Sequence, residues 1–196
     1  MRLLLIRHGR AEVRAPSWLL SRAQVARVQV EYESSRLVPG TAPPAALVAE
    51  VAAASLIACS DLPRAAESAA MLAPGRPATP CPHFRELHLP IPMRNWAIPR
   101  APLPVWELLG HLQWGIDILR GRDVSPEGGA QAARAVAWCH DVAQRLPEHA
   151  TVAVVTHGMF RRLLARSLEA SGWRPERARR SYANWSVWRF TAPPRS

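Results

Sequence analysis

A chain of 196 residues with 48% apolar and 20% charged content has room for one packed core and a small insertion, which excludes a disordered or fibrous protein. Its formal charge of +10 is carried by arginine alone, because the 25 basic residues include no lysine. Three widely spaced cysteines (Cys59, Cys81, Cys139) make neither a disulfide framework nor a metal knuckle, and no apolar run is long enough to span a bilayer, so a reducing cytoplasm is the expected setting.

The chain opens "MRLLLIRHGR". Leu3–Ile6 is too short for a signal peptide and reads as the middle of a strand, Arg2–Ile6, covered on both faces as in a parallel sheet. A helix over Trp18–Tyr32 follows, with Val25, Val28 and Tyr32 on one face, then an Ala/Val-rich helix over Pro44–Ala54. A second strand, Leu56–Ser60, leads into a helix over Leu62–Leu72 that Ser60 or Asp61 is placed to cap. A weaker strand near Ala78–Phe84 contains two prolines, which confine it to an edge. Between Pro90 and Pro126 the rhythm breaks. Six of the 19 prolines and three of the eight tryptophans fall there, indicating an irregular insertion that serves as a lid or pocket wall, with one helix at about Val105–Leu119. Helices over Gly129–Leu146 and Met159–Ser171 flank a strand at Thr151–Thr156, and Trp185–Thr191 reads as a strand added at an edge. The densest arginine cluster, "RPERARR" (Arg174–Arg180), reads as a solvated helical face, and the scattered arginines elsewhere read mainly as compositional bias. Alternating strands and helices predict one domain over residues 1–196, a three-layer α/β/α sandwich around a mostly parallel sheet, with the insertion at about 90–126.

Two apolar strands, the first and Val152–Val155, each end in His-Gly. The carboxyl edge of an open parallel sheet is where ligands bind. The helix after Gly158 aims free N–H groups and positive dipole at that edge, which suits phosphate. Arg64 enters from a third strand end, "CSDLPRA", near a helix N-terminus where a cation is unfavourable unless required. Arg7, His8, Arg64 and His157 thus converge, and arginine forks match phosphate oxygens bidentately. Taken singly, each has a plainer reading: Arg7 and His8 as exposed strand-end residues, Arg64 as an ion-pair partner of Asp61 or Glu67. His111, His140 and His149 read as helix-surface residues, and His83 and His88 as loop residues.

With "RHG" (Arg7, His8, Gly9), "SDLPRA" (Arg64) and "VVTHG" (His157) in this order, the chain resembles the histidine phosphatase superfamily, with its phosphoglycerate-mutase-like fold. The resemblance places the family's acid in "FRELHLP" as Glu86. It implies that His8 attacks phosphorus to form a phosphohistidine, that Arg7, Arg64, His157 and the Gly158 end of the last helix hold the phosphoryl oxygens, and that Glu86 serves as acid and then base. Neither a metal nor another cofactor is implied, and the sequence contains no metal-ligating motif. The implied function is hydrolysis of a phosphomonoester, either a small molecule or a phosphorylated protein residue, with no membrane and no nucleic-acid partner; the oligomeric state stays open. Arg10, Ala11 and Arg14 depart from the residues many sugar-phosphate mutases carry after the first motif, which favours phosphatase over a mutase-type phosphotransferase. A non-catalytic phosphate- or nucleic-acid-binding module is the reading from another class. Arg10, Arg14 and Arg94 point to an acidic substrate, and specificity is expected in Ser17–Pro39 and Pro90–Pro126.

Overall fold

The computed structural model describes residues 1–13, 15–87, 91, 99–119, 126–176 and 180–195. Six strands, β1 (Arg2–Arg7), β2 (Leu56–Cys59), β3 (Thr79–Pro80), β4 (Thr151–Thr156), β5 (Arg174–Pro175) and β6 (Val187–Thr191), form one sheet in the order β3-β2-β4-β1-β6-β5. β1, β2, β3 and β4 run parallel, whereas β6 is antiparallel to β1 and β5 antiparallel to β6.

Side-chain alternation on the strands creates the layers. Leu3 and Leu5 of β1, with Val152 and Val154 of β4, face α5 (Pro126–Arg145) and α6 (Gly158–Ala170). Leu4 and Ile6, with Ala153 and Val155, face α2 (Ala45–Ala52) and α3 (Pro63–Leu72). These strand residues have no solvent exposure, so both faces of the parallel strands are covered, as their unbroken apolar runs require. A third, smaller cluster joins Leu20 to Val25 and Val28 of α1 (Arg22–Glu33) and to Trp106 of α4 (Leu103–Leu119). The Trp106 indole N–H donates to Leu20 O at 2.9 Å, tying α4 to the residue just ahead of the α1 cap.

Most boundaries follow from local chemistry. α1 starts four residues later than periodicity predicts because Ser21 forms a capping box with Gln24, and Leu20 is drawn into a bridge with Ala101. α3 is capped by neither Ser60 nor Asp61 at the expected position. Its N-cap is Leu62 followed by Pro63, while Ser60 Oγ accepts from Leu62 N at 3.2 Å and the Asp61 carboxylate is held by Arg85. The proline-flanked strand shrinks to β3, at the sheet edge as expected. The C-terminal strand is corrected. β6 begins at Val187, leaves Trp185 outside, and lies between β1 and β5 rather than at the edge, because Trp188 and Phe190 need cover within the α5/α6 layer. Most of the 90–126 insertion lies outside the described residues; its described helix, α4, begins two residues before the expected start.

Register levels the strand ends. Arg7 pairs with Thr156 and Cys59 with Val155, so His8, His157 and Ser60 leave the sheet side by side. At Gly9 the backbone passes so close to Trp185 that a Cβ would lie 2.3 Å from the indole Cζ2. Gly9→Ala is therefore expected to lower the free energy of unfolding in urea by about 1–3 kcal/mol. In a Trp185→Ala background the same change is expected to cost much less, and equal costs in the two backgrounds would contradict the collision.

Candidate active site

His8 is 1% exposed at the end of β1. Its Nδ1 lies 2.6 Å from Gly9 O, and because a carbonyl only accepts, Nδ1 carries the proton and Nε2 the lone pair. Burial, assisted by Arg64, Arg7 and Arg161, lowers its pKa to about 3 against the opposing Gly9 bond, so the imidazole is neutral. His157 stands at the N-cap of α6 with its ring fully buried, 5.0 Å from the His8 ring centroid and tilted by 59°. Neither of its ring nitrogens has a hydrogen-bond partner among the described residues. Orphaned buried nitrogens are costly, about 1–3 kcal/mol each, and persist where a ligand takes the bond. Burial, then His8 and the two arginines, hold His157 well below the usual histidine range.

Arg64 occupies the first turn of α3, 1% exposed. The carboxyl end of α1 accommodates it there. Its guanidinium donates to Tyr32 O at 2.6 Å and Glu33 O at 3.3 Å and lies 4.1 Å over the Tyr32 ring. Ser68 links α3 to the first motif, its Oγ donating to Arg64 O at 2.6 Å and accepting from Gly9 N at 2.9 Å. Arg7 donates to Tyr182 O and lies against Gly158, where a Cβ would sit 3.3 Å from the arginine Nε. The Nε atoms of Arg7 and Arg64 lack partners among the described residues. Glu86 Oε1 accepts from Phe160 N at 2.9 Å and Leu87 N at 3.1 Å, which docks the carboxyl on the first turn of α6. Burial raises its pKa, outweighing those bonds and the pull of Arg64 and Arg7.

The structure therefore brings Arg7, His8, Arg64, Glu86, His157 and Gly158 to one sheet edge, and the plainer pairings are taken by other groups. Asp61 pairs bidentately with Arg85 at 2.7 and 2.5 Å, and Glu67 pairs with Arg36 and accepts from Leu37 N. Arg7, Arg64, Glu86 and Gly158 line a cavity of about 430 Å³. Its far wall is built from Val25 and Val28 of α1 and Leu103 and Trp106 of α4, parts of the two segments expected to carry specificity. Arg10 lines it as well, whereas Arg14, His88 and Arg94 lie outside the described residues. His111 is corrected: it is not a solvated helix residue but lines the cavity, with a buried Nδ1 lacking a partner among the described residues. His140 is likewise half-buried, accepting from the Trp173 indole at 3.4 Å. Two residues escaped sequence reasoning, Arg161 and Asn184. Arg161, one turn beyond His157, is fully buried against Trp188; its only signal was a charge on the apolar face of α6. Asn184 had no pattern to announce it. Among the described residues there is no group of three or more His, Cys, Asp or Glu placed to hold a metal ion.

A profile of the histidine phosphatase superfamily (branch 1) matches residues 3–193. The chain belongs to that superfamily. As a histidine phosphatase it is a hydrolase of phosphate esters working through a phosphohistidine, on phosphorylated small molecules at the level of the family. No curated protein matches the chain. Solved structures agree on the fold. A mycobacterial glucosyl-3-phosphoglycerate phosphatase is 20% identical, with a TM-score of 0.50, over 85% of this chain and 78% of its own. A phosphoserine phosphatase mutant from Entamoeba histolytica is 19% identical, with a TM-score of 0.53, over 86% and 80%. A protein described as mycobacterial hydrolase 1 is 19% identical, with a TM-score of 0.53, over 97% of both chains. Among the described residues no helix is long and apolar enough to cross a membrane.

The depressed pKa of His8 ties this histidine phosphatase's stability to pH. Between about pH 3 and 6.5 the unfolded state holds a proton on His8 that the folded state does not, so His8 contributes stability above that window and loses it as pH falls. Glu86 acts in the opposite sense, its contribution being complete below its unfolded pKa and lost as pH rises through its elevated folded value. Replacing His8 by Asn is expected to flatten the rise in unfolding free energy between pH 4 and 6 by about 1.4 kcal/mol per pH unit, measured by urea titration. Parallel curves for variant and wild type would show that His8 is charged in the folded protein.

Proposed function

We propose that His8 is the nucleophile, that Arg7, Arg64, His157 and the Gly158 turn receive the phosphoryl oxygens, and that Glu86 is the proton donor and acceptor. The observation that carries this reading is the pair of neutral, buried imidazoles 5.0 Å apart between two guanidiniums. His8 needs no deprotonation, since its Nε2 lone pair is already free. In the first step Nε2 forms a bond to phosphorus as the phosphorus–oxygen bond to the alcohol breaks, and the Glu86 carboxyl gives its proton to the departing oxygen. Its raised pKa suits that role. In the second step a water gives its proton to the Glu86 carboxylate while its oxygen attacks phosphorus, returning neutral His8 and inorganic phosphate. Charge on the three equatorial oxygens is met by the guanidiniums of Arg7 and Arg64, in surroundings buried enough to keep both imidazoles neutral.

The substrate we infer is a small phosphomonoester whose alcohol part has an apolar body. Beyond the cradle α1 and α4 line the cavity with Val25, Val28, Leu103 and Trp106, beside the polar Gln29, Glu33, Glu107 and His111. Burying that body against Val25, Val28, Leu103 and Trp106 contributes about 25 cal/mol per Å2 removed from water. A phosphorylated protein residue is the less favoured substrate, because α1 and α4 wall the cavity and pack on one another through Leu20, Val25, Val28 and Trp106.

Glu86→Gln gives the discriminating test. In single-turnover rapid-quench measurements it is expected to slow the first step, phosphorylation of His8, by about 10²–10⁴-fold with an alkyl phosphate, and to leave that step within about tenfold of wild type with p-nitrophenyl phosphate, whose leaving group needs no proton. His8→Ala should abolish turnover of both. Equal losses in the phosphorylation step on the two substrates with Glu86→Gln would remove Glu86 from the acid role.

A further inference from the structure

Beside the cradle, the segment Ser181–Ser186, between β5 and β6, lies against the first motif and is tied to it from Tyr182, Asn184, Trp185 and Ser186. Arg7 N donates to Ser186 O at 3.0 Å, and Trp185 N donates back to Arg7 O at 3.1 Å. The Arg7 guanidinium donates to Tyr182 O. Asn184 Nδ2 donates to His8 O at 3.0 Å and to Gly9 O at 3.1 Å. Both partners are carbonyl oxygens, so the amide NH2 must face them; turned over, the Asn184 oxygen would meet two lone pairs. Gly9 O is the same atom that fixes the proton on His8 Nδ1.

The segment is itself rigidly held. Arg161 spans it from below, donating to Ser186 O at 2.7 Å, Ser186 Oγ at 3.0 Å and Ser181 O at 3.1 Å, with its guanidinium 4.1 Å over the Trp188 ring. Trp185 adopts φ 60°, a backbone region that a bulky residue enters only when its surroundings enforce it. Strain of this kind, beside a nucleophile, marks a place where geometry is selected over stability.

We infer that Asn184 is a positioning residue for catalysis: from a strap anchored by Arg161, it fixes the Gly9 carbonyl that holds the His8 ring and its tautomer in the attacking arrangement. This rests on His8 being the nucleophile. Asn184 also lines the cavity, but its amide NH2 is committed to His8 O and Gly9 O, so its effect on the nucleophile passes through Gly9 O. Its loss leaves the strap tied by Arg7, Trp185 and Arg161, so the protein folds while the ring loses its fixed orientation.

The experiment compares wild type, Asn184→Ala and Asn184→Asp by rapid-quench burst kinetics with p-nitrophenyl phosphate between pH 5 and 8, after thermal melts establish that each is folded. Asn184→Ala is expected to slow phosphorylation of His8 by about 10–100-fold with KM within about threefold, the cost of a misplaced reacting group. Asn184→Asp sets a carboxylate against two carbonyl oxygens, so it should be at least as slow at pH 8. As pH falls, the aspartyl carboxyl takes a proton and can donate it to one carbonyl, and the burst rate should recover relative to Asn184→Ala. A burst within threefold of wild type for Asn184→Ala, or an Asp variant with the same pH profile as the Ala variant, overturns the inference while leaving His8 as nucleophile. A wild type with no phosphoryl on His8 overturns both.

Discussion

Everything at the sheet edge depends on a cluster of groups that repel one another when charged and are therefore kept neutral or pinned by backbone oxygens. Two imidazoles and two guanidiniums share one small volume, with Arg161 just behind. The histidines respond by releasing their protons. The arginines are steadied by carbonyls, Arg64 at the end of α1, Arg7 at Tyr182, Arg161 at Ser181 and Ser186. Such a cluster would cost folding free energy in a protein with no anion to bind, and that cost is what prepares the site for phosphate.

The fold supplies the convergence with little specialised structure. Parallel strands in level register deliver their carboxyl ends to one line, and each end there carries a polar side chain. The antiparallel β6 serves a different end. It returns the chain beside β1, which brings the Ser181–Ser186 segment against Arg7, His8 and Gly9. α1 has a double role, roofing the cavity with Val25 and Val28 and steadying Arg64 with its last carbonyls.

Much of this was legible in the sequence because the signals were local. Apolar runs ending in His-Gly located β1 and β4, and an arginine in a first helical turn, where the dipole disfavours it, located Arg64. What was hidden depended on contacts distant in sequence. β6 reads as an edge strand because nothing nearby foretells the two-residue β5 that covers it. His111 has the spacing of a solvated residue, and only the cap formed by α1 and α4 turns it inward. Asn184 and Arg161 act across 20 to 175 residues of chain, through backbone oxygens that carry no residue-type signature. Ser60 and Asp61 were misjudged as caps because Arg85, 24 residues beyond Asp61, claims the aspartate.

With Nδ1 held by Gly9 O, the attack we propose for His8 runs through Nε2. Stopping turnover of a phosphomonoester in alkali and locating the acid-labile phosphoryl by proteolysis, mass spectrometry and 31P–1H correlation tests this directly. One phosphoryl is expected, on Nε2 of His8. A phosphoryl on Nδ1, or one on His157, would contradict it.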